Sequence, residues 1–150
     1  MKNFLILMFL FLSFLASGQK GHDIKLNIDN YSNDTLLLAY FYGDKELIYD
    51  TIYSEKPGEF DLKGDTLMHS GVYIGLVYPS KEYFQFLIDD KDQIFNLHTD
   101  YNDLQNIKVK GSEDNKLFFD YLKYISEKNK LAQDLANKKK QLEDNKQDIS

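Results

Sequence analysis

Hydrophobic and polar residues alternate along much of the chain between residues 22 and 110, which indicates strands that are buried on one face. Ile24, Leu26 and Ile28 alternate with polar residues and predict the first strand. The segment from Thr35 to Tyr42 is apolar almost throughout, which predicts a central strand covered on both faces. Further short strands are expected at residues 47–54, 59–63, 72–78, 83–88, 93–99 and 107–109.

Turn residues separate these segments, and Pro57-Gly58 is the clearest of them. Short strands at hairpin spacing favour antiparallel pairing over a parallel sheet. We therefore predict a mostly β fold for residues 19–111, which is an antiparallel β-sandwich or an open barrel of about eight short strands.

The spacing of apolar residues becomes helical after Gly111. Ser112 is a good N-cap, and Glu113 and Asp114 suit the first turn of a helix. We predict a connector helix at residues 112–150, which follows the β domain. Its docking contact with the sheet is expected from an apolar stripe that includes Phe118, Tyr121 and Leu122.

The stripe thins after Ile125, and the last part of the helix is rich in Lys, Gln, Asn and Asp. Such a polar helix gains little from burial, so its last turns are expected to fray. The apolar residues that remain there are Leu131, Ala132, Leu135 and Leu142.

The first 18 residues have the order of a secretory signal peptide. Lys2 supplies the positive start, Phe4 to Ala16 is apolar apart from Ser13, and small residues follow up to Gly18. We expect cleavage near Gly18 and export to the periplasm or the outer face of the cell envelope; an uncleaved N-terminal anchor is the alternative. Without a cysteine at the cleavage point, a lipid anchor is excluded.

The amino-acid composition excludes several classes of function. The chain has no cysteine, which excludes thiol chemistry and a disulfide scaffold. Its net charge is −6 and all of its basic residues are Lys, so we expect no nucleic-acid partner. The 11 Tyr and 11 Phe residues favour strands.

No motif for catalysis or metal binding emerges from the sequence. His22, His69 and His98 stand apart, and His98 with Asp100 provides only two of the three or four ligands of a zinc site. The Asp89–Asp92 cluster lacks the glycine and the distal glutamate of a calcium loop. We therefore predict no catalytic residue, no metal and no cofactor.

The aromatic residues between positions 73 and 86 leave two interpretations open. Tyr73, Tyr78 and Tyr83 could form a face that binds a partner or ligand. The alternative, which the density of aromatic residues favours, is cross-strand aromatic packing within the core.

Several short stretches recur together in one known family. They include Asn33-Asp34-Thr35-Leu36, Tyr42-Gly43-Asp44, Gly71-Val72-Tyr73 and, as the most specific part, Lys110-Gly111-Ser112-Glu113-Asp114-Asn115. Over about residues 20–125 the chain resembles the N-terminal β-rich region of exported bacterial thioredoxin-like proteins of the thiol–disulfide oxidoreductase type. In that family an antiparallel β domain of unknown function precedes a helical connector and a thioredoxin fold with Cys-x-x-Cys.

The family's catalytic cysteines have no counterpart in this chain. The resemblance therefore implies a non-catalytic accessory domain, and we expect the chain to be a fragment of a longer protein. Its expected partner is a downstream thioredoxin-like domain or an exported client. The alternative is a free-standing exported binding protein that uses an aromatic sheet face, and a homodimer is compatible with either.

Overall fold

The computed structural model describes residues 21–147, with side chains up to residue 145. The predicted signal peptide at residues 1–18 lies outside these residues. Eight strands are followed by one long helix, in the order β1 His22–Asp29, β2 Thr35–Tyr42, β3 Lys45–Tyr53, β4 Glu59–Gly64, β5 Gly71–Val77, β6 Tyr83–Ile88, β7 Ile94–Asp100, β8 Asp103–Lys110 and α1 Glu113–Gln147.

The strands form two four-stranded sheets that pack as a sandwich. The first sheet has the order β4-β1-β7-β8 and the second has the order β3-β2-β5-β6. This confirms the predicted mostly β fold with a C-terminal helix, and it selects the sandwich over the open barrel.

One pair of strands departs from the predicted antiparallel arrangement. β1 and β7 run parallel, and Leu26 lies opposite Leu97. Strands that are joined by a short hairpin must be antiparallel, as in β2–β3 and β7–β8. β1 and β7 are separated by five strands in the chain, so no hairpin constrains their direction.

A single cluster of apolar side chains fills the space between the two sheets. Alternate residues of the strands supply it, because side chains on a strand point to opposite faces in turn. The fully buried members include Ile24 and Leu26 from the first sheet and Leu36, Leu38 and Phe86 from the second.

The turn at Pro57-Gly58 needs its glycine. Gly58 has a φ of 78°, and a Cβ built there would lie 2.5 Å from the carbonyl oxygen of Ile28. Any other residue would be strained in this conformation and would also collide with the backbone of β1. The turn therefore fixes where β4 begins beside β1.

α1 follows β8 directly and lies against the edges of both sheets, on β6 and β8. The Oγ of Ser112 accepts a hydrogen bond from the backbone N–H of Asn115 at 3.2 Å, which is the capping geometry that the sequence predicts. From Ser126 to residue 145 the side chains of α1 are exposed. No helix within residues 21–147 is both long and apolar enough to cross a membrane.

Candidate functional site

A groove of about 780 Å³ lies on the outer face of the first sheet. The residues of β1, β7 and β8 that face outward into this groove are mostly polar. Its lining includes Asn27, Asp29, Asn96, His98, Lys108 and Lys110.

His98 and Asp29 form the closest polar pair in this groove. The Nε2 atom of His98 lies 2.8 Å from Oδ2 of Asp29, and both side chains are substantially exposed. Within residues 21–147, no group of three or more His, Cys, Asp or Glu side chains could hold a metal ion. His22 lies apart from this pair, with its Nδ1 atom 2.7 Å from the carbonyl oxygen of Thr66.

Asp100 lies at one end of the same face and holds the β7–β8 turn. Its carboxylate accepts hydrogen bonds from the backbone and side chain of Asn102 and from the side chain of Asn30. The backbone bond from Asn102 is the main cause of its lowered pKa. Because these bonds stabilise local turns, the role of Asp100 at this position is structural.

The three carboxylates at positions 89–92 lie in the β6–β7 turn. Oδ1 of Asp89 accepts hydrogen bonds from the backbone N–H groups of Asp92 and Lys91, each at 2.7 Å. These two bonds lower the pKa of Asp89, because they stabilise its charged form. Asp89 therefore acts as the acceptor that closes the turn.

The structure does not bring Tyr73, Tyr78 and Tyr83 onto one face. Tyr73 is 1% exposed and packs in the core against Tyr40 and Phe86, with ring centroids 5.7 and 5.9 Å away. Burial raises its pKa to about 12. Tyr78 and Tyr83 are 36% and 51% exposed, and Tyr83 points to the opposite side of the second sheet from Tyr73.

The outer face of the second sheet carries two rows of apolar side chains. In β2, Leu37 and Ala39 alternate with the core residues Leu36 and Leu38, so they point away from the core. Ala39 pairs with Ile48 on one side and Ile74 on the other, and Ile48 is 70% exposed. We call this surface the apolar face, and it consists of Leu37, Ala39, Ile48, Ile74, Leu76 and Tyr83.

The free edge of β6 is held by a buried side-chain amide. Oδ1 of Asn115 accepts a hydrogen bond from the N–H of Leu87 at 2.7 Å, and Nδ2 of Asn115 donates to the carbonyl of the same residue at 2.8 Å. Gln105 donates to the carbonyl of Tyr83 on the same strand. Asn115 thus replaces the missing neighbouring strand and anchors the start of α1.

The docking residues predicted for α1 occupy different environments. Phe118 and Leu122 are half-buried, whereas Tyr121 is 60% exposed. Phe119 packs against the core cluster and against the ring of Phe118. The sequence prediction gave neither Phe119 nor Asn115 a docking role. Asn115 lies in the capped first turn, and Phe119 follows it by four residues on the same side of the helix.

A family model matches residues 22–118, from the first residue of β1 to the second turn of α1. The match covers more than half of the chain. The chain belongs to the family described as Domain of unknown function (DUF4369). No curated protein and no solved structure matches the chain.

The DUF4369 match extends beyond the last strand by several residues. It includes Ser112 and Asn115, and it ends at Phe118. The first turn of α1 is therefore part of the DUF4369 domain, in agreement with the hydrogen bonds of Asn115 to β6.

Proposed function

We propose that this DUF4369 domain is a non-catalytic accessory domain of an exported thioredoxin-like thiol–disulfide oxidoreductase. It positions or recruits proteins for a catalytic domain with Cys-x-x-Cys, a motif that does not occur in these 150 residues. The sequence resemblance over about residues 20–125 provides the link to that class. The signal-like N-terminus supports export to the periplasm or the outer face of the cell envelope.

The apolar face is the observation that carries an accessory role. A contiguous set of apolar side chains on an exposed sheet face is typical of a protein-binding surface. Ile48 and Tyr83 extend from it into solvent, Leu37, Ala39 and Leu76 are half-buried, and Ile74 is 6% exposed. The groove of the first sheet offers a His–Asp pair without a cysteine nucleophile, because the chain contains no cysteine at all.

We also propose that this chain has no enzymatic activity of its own. Thiol–disulfide exchange needs a thiolate as the attacking group. The buried polar side chains Gln93, Thr99 and Asn115 each form hydrogen bonds to backbone groups, so they serve the fold. Catalysis would therefore come from another domain or subunit.

An antibody against the β domain tests the proposal in cells that make the protein. The antibody captures the native polypeptide with its cross-linked partners, and mass spectrometry sequences both. We expect a Cys-x-x-Cys segment, either in the same polypeptide or in a partner. A native polypeptide and partners that all lack this segment would overturn the proposal and favour a free-standing exported binding protein.

Two matched variants test the surface in the same experiment. Ile48→Lys places a charge on the apolar face, and Ile94→Lys places the same charge on the outside of the first sheet. Their side chains are similarly exposed, at 70% and 64%, so neither change is expected to disturb the core. Cross-linking to the Cys-x-x-Cys domain should fall for Ile48→Lys alone.

A further inference from the structure

A row of exposed side chains runs along α1 on the side opposite its docking contact. Successive members are separated by four and three residues in alternation, which is the heptad spacing of a coiled coil. Six of the eight are apolar, and each of these six is more than half exposed. We call this row the α1 seam, and it consists of Leu117, Tyr121, Tyr124, Lys128, Leu131, Leu135, Lys138 and Leu142.

The seam faces away from the sandwich. The buried or half-buried residues of the helix are Asn115, Phe118, Phe119, Leu122 and Ile125. At 3.6 residues per turn, the centre of this docked face lies about 150° around the helix from the seam. The docked residues Phe118 and Ile125 lie beside the first part of the seam, so a second helix meets no contact of the chain's own β domain from Ser126 onwards, where all side chains of α1 up to residue 145 are exposed.

The charges beside the seam select a second copy of this chain in parallel orientation. Tyr121, Lys128, Leu135 and Leu142 take the a positions of the heptad. Asp134 is then at a g position and Lys139 at the following e position, which face each other between parallel helices. Two copies form this ion pair twice.

The antiparallel arrangement is disfavoured by the same residues. It would bring g positions opposite g positions, and Asp120, Glu127 and Asp134 are all acidic. The seam is therefore complementary to itself in one direction only. Within one chain Lys139 also lies 3.8 Å from Glu143, an exposed pair that a stronger partner can displace.

Lys128 and Lys138 interrupt the apolar seam. In a parallel dimer each lysine meets its own copy, which weakens the association and penalises shifted registers. In the single chain the Nζ atom of Lys128 lies 5.1 Å from the ring centroid of Tyr124. This contact directs the charge along the helix while the methylene groups cover the seam.

We propose that α1 joins a second copy of this chain as a parallel two-stranded coiled coil through the α1 seam. The two β domains then lie on the outside of the coiled coil at the same end. The inference does not depend on the accessory role, because it uses only the residues of α1.

Sedimentation equilibrium of the purified chain tests the association. The mass should rise from one chain towards two as the concentration increases. Leu135→Glu places a charge in the seam and should raise the dissociation constant at least about tenfold. Gln133→Glu adds the same charge at an f position outside the seam and should leave the constant unchanged. Lys128→Leu should lower the constant by a similar factor.

The orientation is tested with single cysteines, since the chain has none of its own. Tyr124→Cys and Leu142→Cys should each form a disulfide with its own copy in a parallel dimer. A disulfide that forms only in a mixture of the two variants would overturn the parallel arrangement.

A chain that stays monomeric up to about 1 mM would overturn the proposal. So would a dimer that Leu135→Glu leaves unchanged. The far-ultraviolet circular dichroism of each variant shows whether its β domain remains folded.

Discussion

Two buried amide side chains hold the irregular parts of this protein in place. Asn115 binds the free edge of β6, as described above. Gln93 accepts a hydrogen bond from the N–H of Met68 at 2.7 Å and donates to the carbonyls of Met68 and Asp89. An amide can do this because it carries a donor and an acceptor side by side, like a peptide group.

Replacement of Asn115 by aspartate tests this role. Asn115→Asp keeps the shape but removes the donor, and it sets a carboxylate against the carbonyl of Leu87. Loss of a buried hydrogen bond and repulsion from that carbonyl should lower the free energy of unfolding by about 2–4 kcal/mol in urea denaturation. Asn129→Asp makes the same change at an exposed position of α1 beyond the docking contact and should have little effect.

The lowered pKa of Asp89 predicts a contribution to stability that depends on pH. A carboxyl group whose pKa is lower in the folded state stabilises the fold above its unfolded pKa, near the ordinary value of 3.8. This contribution is lost as the pH falls through the folded pKa. Asp89→Asn keeps an oxygen acceptor for the turn but does not titrate, so it should lose less stability between about pH 5 and about pH 2.5.

Urea denaturation at several pH values measures this difference. Asp90→Asn is the matched control, since the structure of residues 21–147 gives the Asp90 side chain no hydrogen bond. If both variants have the pH dependence of the unmodified chain, the turn does not depend on the charge of Asp89.

The sequence alone could not predict which face of the sheet each tyrosine points to. Tyr73 and Tyr83 belong to neighbouring strands, and the loop around Pro79 between them determines which face each strand presents. A shift of one residue in that loop would exchange the core and solvent faces of β6. The alternation of apolar residues predicts that one face is buried, but here both faces of the second sheet are apolar.

At the level of the strands, the hydrophobic pattern predicts where strands occur but not how all of them pair. Local alternation predicted β1 and β4. The apolar run from Thr35 to Tyr42 predicted a central strand covered on both faces; β2 is central, between β3 and β5, but only its core face is covered. The parallel pairing of β1 with β7 depends on side chains far apart in the chain. No local signal encodes it, so it could not be predicted.

The contact between α1 and the sheets depends on Phe119 as well as on Asn115. Phe119 is half-buried against the core cluster. Phe119→Ala should lower the free energy of unfolding by about 2 kcal/mol, which is less than for a fully buried phenylalanine because part of the ring is already exposed. Thermal or urea denaturation measures the change.

Lys123→Ala is the control for this variant, since it shortens an exposed side chain in the next turn of α1. Equal stabilities of the two variants would indicate that α1 does not depend on Phe119 for its contact. Phe118→Ala then becomes the informative third variant, since the ring of Phe118 lies 5.5 Å from that of Phe119.

On the scale of the whole molecule, α1 combines two apolar faces with different tasks. One face, around Asn115 and Phe119, binds the sandwich, whereas the docking stripe expected from the sequence named Phe118, Tyr121 and Leu122. The other begins at Leu117 and continues to Leu142. The docked stripe thins after Ile125, whereas the heptad repeat of the α1 seam continues to Leu142.

Hydrogen exchange at two protein concentrations separates these tasks. The amides of residues 115–125 are protected by contact with the sandwich, so their exchange should not depend on concentration. The amides of residues 126–145 have no such contact within one chain and should exchange quickly in dilute solution. At a concentration well above the dissociation constant they should slow in proportion to the loss of monomer, because only the monomer exposes the seam.

The Leu135→Glu variant provides the control, since the amides of residues 126–145 in this variant should exchange quickly at both concentrations. Slow exchange of residues 126–145 that is equal at both concentrations would contradict the expectation for a single chain. It would mean that an exposed helix of this composition resists opening without a partner, although most helical stability in proteins comes from the packing of an amphipathic face. The protection of α1 therefore reports directly on whether its second face is used.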